Sequence, residues 1–140
     1  RMDFNKEKIL EACAKMSQNT LMETLQITFV DITENHVIAK MPVTPRVHQP
    51  DGVLHGGATV ALAESVGSFG AFIFLNESNV QVRGIEISAN HVRSIKDGFV
   101  YAKATIVHKG RTTQLWHIDI TNEENQLISF VKLTTLTLRT

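Results

Sequence analysis

Apolar residues follow three different patterns along this chain, and each pattern predicts its own kind of element. Near the start, Ile9, Leu10, Cys13 and Met16 recur at helical spacing. Asp3 or Asn5 stands where a cap is needed for a helix running to about Ser17. A short second helical turn is expected around residues 20–25. From Ile27 the period changes to two. Residues 27–31 and 37–43 alternate apolar and polar side chains about Thr33-Glu34-Asn35, which reads as a hairpin. Pro42, Pro45 and Pro50 then punctuate a loop carrying His48 and Gln49. From Gly56 to Leu75 the periodicity vanishes. Every side chain there is apolar, small or hydroxylated except Glu64. A helix that is apolar all round is expected to be buried on all sides.

Four extended runs follow, at residues 80–93, 99–108, 112–121 and 126–138, joined by short polar turns. The first changes phase: Val80 and Val82 fall on even positions, Ile85, Ile87 and Ala89 on odd ones. A bulge at Gly84 reconciles them. The order is helix, two strands, one long helix, then an antiparallel meander of four strands. An antiparallel sheet commonly buries one face, and wrapping it around the long helix covers that face. The expected class is α+β, a single domain over residues 2–140. Arg1, ahead of Met2, is set aside as foreign to the fold. Gly67 and Gly70, costly inside a helix, imply close approach by the sheet or by a second subunit, and the pattern does not choose between them.

Composition narrows the function. A chain of 140 residues carries 14 basic and 14 acidic side chains, so no polyanion-binding tail is expected and nucleic acid is not an expected partner. A lone cysteine, Cys13, excludes an internal disulfide and suits a reducing compartment. The charged N-terminus lacks a secretory pattern, which points to the cytoplasm. The long apolar run has the length of a membrane span, but a mid-helix Glu, two opening glycines and no flanking Lys/Arg cluster argue against a membrane role. His48, His55 and His91 lack metal-ligand spacing, so neither a metal nor another cofactor is expected.

The chemistry concentrates at the long helix. Gly56-Gly57 opens it with unpaired N–H groups, and Glu64 lies about two turns further on, which is expected to put the carboxylate on the same face as those amides. A core helix whose carboxylate simply finds a partner is the plain alternative. HQPDGVLHGGATVALAESVGS (48–68) and GIEISANHVRS (84–94) resemble the hotdog-fold acyl-CoA thioesterases, in the branch of 4-hydroxybenzoyl-CoA and 1,4-dihydroxy-2-naphthoyl-CoA thioesterases. That resemblance implies hydrolysis of an acyl- or aroyl-CoA thioester without cofactor, and leaves a place in menaquinone biosynthesis open. It implies that the Gly56 N–H polarises the thioester carbonyl, that Gln49 and His55 shape the site, and that Glu64 is nucleophile or general base. Ser68 would hold the attacking water or the carboxylate. Gly57, His91, Arg93, Arg111 and Thr112 would contact the substrate or its coenzyme A portion, the arginines through phosphate. In this family each site draws on two chains, so a homodimer, paired into a homotetramer, is expected. The competing classes are a non-catalytic acyl-CoA-binding hotdog module and a hotdog dehydratase. The chain leaves no room for the DNA-binding helices of a regulator, and the His–acid spacing of a dehydratase is missing.

Overall fold

The computed structural model describes residues 5–140. Asn5 caps the first helix, its side chain accepting from the Lys8 N–H at 3.2 Å, and α1 runs Lys6–Ser17. Asp3, the other candidate cap, lies outside the described residues. Thr20 caps the short α2 (Leu21–Thr24) in the same way. The hairpin predicted about Thr33–Asn35 is β1 (Thr28–Ile32) and β2 (His36–Pro42). Next comes α3 (Gly56–Leu75), then β3 (Val80–His91), β4 (Phe99–Lys109), β5 (Thr113–Thr121) and β6 (Leu127–Arg139). All six strands form one antiparallel sheet in the order β1-β2-β4-β5-β6-β3.

α3 packs on one face of that sheet, and its glycines show how closely. A Cβ at Gly67 would collide with Leu133, and one at Gly70 would stand 2.8 Å from the Trp116 ring. The close neighbour of both glycines is therefore the chain's own sheet. Trp116, Ile118, Val131 and Leu133 form the buried floor beneath the helix. The one polar atom of Trp116 is satisfied, donating to Thr135 Oγ1 at 3.1 Å. Thr135 and Thr137 in turn donate to Gln114 Oε1, and Gln114 Nε2 donates to the Gly110 carbonyl. A buried polar network with every member paired favours one packing over its alternatives.

Two expectations are corrected. The last four strands are not a four-strand meander. β4, β5 and β6 are one, but β3 pairs with β6 along its whole length, from Val80 opposite Arg139 to His91 opposite Ser129. β4 joins β2 instead. Alternation identifies a strand but does not say which neighbour takes its edge. Nor is α3 buried on all sides. One stripe, running through Gly57, Ala61, Glu64, Ser65, Ser68 and Phe72, keeps part of its surface open, with Phe72 40% exposed. A single sheet covers only one side of a cylinder. The predicted bulge is present, as a register shift between Gly84 and Glu86.

Candidate active site

A helix start exposes four backbone N–H donors, and here three of them are taken. His55 is the N-cap: its own N–H donates to the Val47 carbonyl at 2.8 Å, its Nδ1 accepts from Gly57 N–H at 2.8 Å, and its carbonyl accepts from Ala58 at 3.0 Å. Gly56 N–H alone has no acceptor among the described residues. His55 therefore does more than line a site. By closing the other donors it leaves a single amide, at the positive end of a 20-residue helix, aimed at whatever approaches.

The approach is a cleft of about 310 Å³. One wall is the loop and first turn, Gln49, Val53, Leu54, Gly56 and Thr59. The other is the end of β3 and the segment after it, His91–Ile95, with Ile128 below. The walls are tied together: His48 Nε2 meets the Lys96 carbonyl at 2.8 Å, and Leu54 N–H donates to Ile95 O at 2.8 Å. The loop turns tightly at Gly52, whose φ of +79° favours glycine. There Gln49 Oε1 accepts from Asp51 N–H, leaving both Gln49 amide protons unpaired among the described residues. No carboxylate lines this cleft, and Arg93 supplies a positive charge.

Glu64 is not in it. Eight residues past Gly56, it sits about 12 Å further along the axis and about 80° around it, for a helix with 1.5 Å rise and 3.6 residues per turn. Its carboxylate lies instead against Gly84 at the β3 bulge, where any Cβ would run into Oε2. The sequence reading put the open amides and the carboxylate on one face. Gly57 does share the face of Glu64, but Gly57 N–H is the donor His55 consumes. Ser68 lies one turn beyond Glu64. Its hydroxyl has no partner among the described residues, whereas Ser65 bonds back to the Ala61 carbonyl at 2.7 Å.

Arg111 and Thr112 are also elsewhere. They occupy the β4–β5 turn, at the C-terminal end of α3, where Lys109 Nζ donates to the Phe74 carbonyl at 2.8 Å. That turn is pinned: Thr137 N–H donates to Thr112 O, and Arg139 donates to Arg111 O. Arg139 also forms a two-point pair with Glu77 at 2.9 and 3.0 Å, and these bonds hold the Glu77 carboxyl below its ordinary range. Gln49, Gly56, His91 and Arg93 thus come together, while Glu64 with Ser68, and Arg111 with Thr112, form two further groups along the same helix. Among the described residues, no three His, Cys, Asp or Glu side chains converge to hold a metal ion.

The sequence profile of the thioesterase superfamily matches residues 51–129. The chain belongs to the thioesterase superfamily. It is 42% identical to the 1,4-dihydroxy-2-naphthoyl-CoA hydrolase of Escherichia coli over 96% of this chain and 98% of that protein. It is 37% identical to the proofreading thioesterase EntH of Cronobacter turicensis, over 96% and 97%. The crystal structure of a thioesterase from Haemophilus influenzae superposes with a TM-score of 0.91 at 39% identity, covering 99% of this chain and 93% of that one. The fold is the hotdog fold that the resemblance implied. The matched span of this thioesterase-superfamily chain includes Gly56, Glu64, Ser68, His91 and Arg93. It also includes Ser129, a residue the sequence reading passed over, buried beneath His91. In sequence Ser129 looks like any strand serine between Ile128 and Phe130, and only the β3–β6 register reveals it.

Proposed function

We propose that the protein hydrolyses acyl-CoA thioesters at a site built from two copies of the chain. The observation that carries this reading is the separation of the free Gly56 amide from Glu64. A reacting carbonyl needs its oxygen within about 3 Å of the amide and its carbon within about 3.5 Å of the attacking group. Two groups about 12 Å apart along one helix cannot both reach it. A two-fold axis that lays two α3 helices antiparallel, exposed stripe against exposed stripe, brings Gly56 of one copy towards Glu64 of the other. The open outer edge of β3 and the half-exposed stripe of α3 lie on the side such a pairing would cover.

In that arrangement the Gly56 N–H donates to the thioester oxygen as charge grows on it, with the Gln49 amide protons as further donors. Glu64 either adds to the carbonyl carbon or takes the proton of an attacking water held by Ser68. If Glu64 adds, the C–S bond breaks to leave an acyl–Glu64 anhydride, which water hydrolyses while its proton passes to the thiolate; if Glu64 takes the proton of the attacking water, it returns that proton to the sulfur as the C–S bond breaks. The acyl part has a natural chamber in the apolar groove of about 480 Å³ between α1 and the second half of α3, lined by Phe69, Phe72 and Ile73. The groove opens one turn beyond Ser68, and its two aromatic rings favour an aromatic acyl group, which is also what the name of the E. coli relative describes. Arg93 is the phosphate partner within reach of a thioester seated on Gly56, and Arg111 can serve only from the other copy. The cytoplasm and a further pairing of dimers into a tetramer remain part of the proposal.

The deciding experiment mixes two inactive chains. Glu64→Gln alone is expected to lower kcat by at least ~10²-fold, and Gln49→Ala to weaken the carbonyl site of its own copy. Unfolded together and refolded one to one, half the dimers are mixed, and each mixed dimer has one site with both groups intact. Recovery of about a quarter of wild-type activity is expected from that statistical pairing of symmetric halves. No recovery would place Gln49, Gly56 and Glu64 in one chain. Wild-type protein that binds coenzyme A thioesters but releases no thiol would make it a binding module instead.

A further inference from the structure

We propose that Ser129 is a positioning residue. It fixes the His91 imidazole in its Nδ1–H form, so that Nε2 stands beside Gly56 as an acceptor for the amide N–H carried by the leaving arm of the thioester. The inference rests on the thioesterase reading above and names a feature of the substrate that reading leaves open: a thiol bearing an amide two methylenes from sulfur, as in the pantetheine arm of coenzyme A.

Ser129 is fully buried, and its hydroxyl has one proton, which it donates to the Asn90 carbonyl at 3.1 Å. His91 Nδ1 lies 3.0 Å from the same oxygen. A hydroxyl proton committed to Asn90 turns lone pairs to the ring, and in that arrangement Nδ1 brings the proton. A neutral imidazole carries one N–H, and Nε2 is left with its lone pair. That edge of the ring rests against the first residue of α3: a Cβ on Gly56 would fall 2.9 Å from Nε2 and 3.1 Å from Cδ2. A side chain at position 56 would displace His91 from this seat.

His55, at the same helix start, has the opposite tautomer, because its Nδ1 is the acceptor for Gly57 N–H. The two imidazoles thus present one donor and one acceptor beside a single free amide. Without a proton on Nε2, His91 cannot protonate the departing sulfur. An acceptor fits the next polar group along the arm, and Arg93 lines the same cleft.

The test uses two benzoyl thioesters of equal length, one of N-acetylcysteamine and one of 2-acetoxyethanethiol, in which an ester oxygen replaces the N–H. Wild-type protein is expected to favour the amide roughly tenfold in kcat/KM, the effect of one hydrogen bond. His91→Ala should bring that ratio to about one, Ser129→Ala most of the way, and the double variant no lower than His91→Ala, since Ser129 acts through the ring. If Ser129→Ala slows both substrates alike and keeps the ratio, its role is packing and the proposal falls. Nitrogen-15 spectra of histidine-labelled wild type need no variant: His91 must show its proton on Nδ1, and a proton on Nε2 would overturn the assignment. Ser129→Cys, close in volume, replaces the alanine variant if that one does not fold. Failure of wild type on both thioesters would sink the hydrolase reading, while the spectra still judge the Ser129 contact separately.

Discussion

The two edges of the sheet are built to opposite specifications. At one edge β1 has five residues and has α1 packed beside it, with Lys6 Nζ 2.7 Å from Asp31. At the other, β3 runs for twelve residues, pairs on one side only, and presents Ile85 at 53% exposure. Short, covered edges resist pairing, and long open ones invite it. On the two-copy proposal, the open edge is a surface that the second copy covers. The position of Glu64 behind that edge, against Gly84, connects the surface to the chemistry.

The comparison can be broken most directly by placing the same charge at each edge. Ile85→Lys on β3 is expected to yield monomers in light scattering and to lower kcat by ~10²-fold or more, as for loss of the positioned base. Val30→Lys on β1 should change neither beyond about twofold, as exposed positions usually permit. An active monomer from the Ile85 variant would make the edges equivalent and place the site within one chain. A smaller effect is expected behind the open edge. Gly84→Ala drives a methyl into the Glu64 carboxylate, and moving the reacting group by an ångström costs up to about 10²-fold. Its kcat should fall roughly tenfold with KM little changed, and an unaltered kcat would show that Glu64 needs no fixed seat. The smallest effect belongs to the sealed edge. Burial pushes the Cys13 thiol on α1 up to about 11. The folded state therefore favours the protonated thiol, and its contribution is complete below the unfolded value of about 8.5. It is lost as pH rises through about 11. Urea titrations should show stability declining across that window, and Cys13→Ala should flatten the decline.

Much of this was legible in the chain, because the signals were local. Asn5 announces the first helix by its capping chemistry, the bulge shows as a phase change about Gly84, and the limits of α3 coincide with the glycine pair and the end of the apolar run. What stayed hidden depends on contacts distant in sequence. The β3–β6 pairing could not be read from alternation, and with it went the meeting of His91 with Ser129. Arg93 and Arg111 both sit near strand ends and look equivalent in sequence, yet the topology places them at opposite ends of α3. The relation of Gly56 to Glu64 was visible as a spacing of eight, but spacing alone did not disclose that His55 silences the one amide lying on the carboxylate's face.

That spacing of eight has a thermodynamic consequence. On the two-copy reading, a thioester held between Gly56 of one chain and Glu64 of the other is a ligand of the pair and of neither half. By linkage, whatever binds only the assembled form shifts the equilibrium towards it, by RT ln(1 + [L]/Kd). The substrate is then an adhesive as well as a reactant. Dilute enzyme should lose activity faster than its concentration falls, and saturating thioester should slow the exchange of subunits.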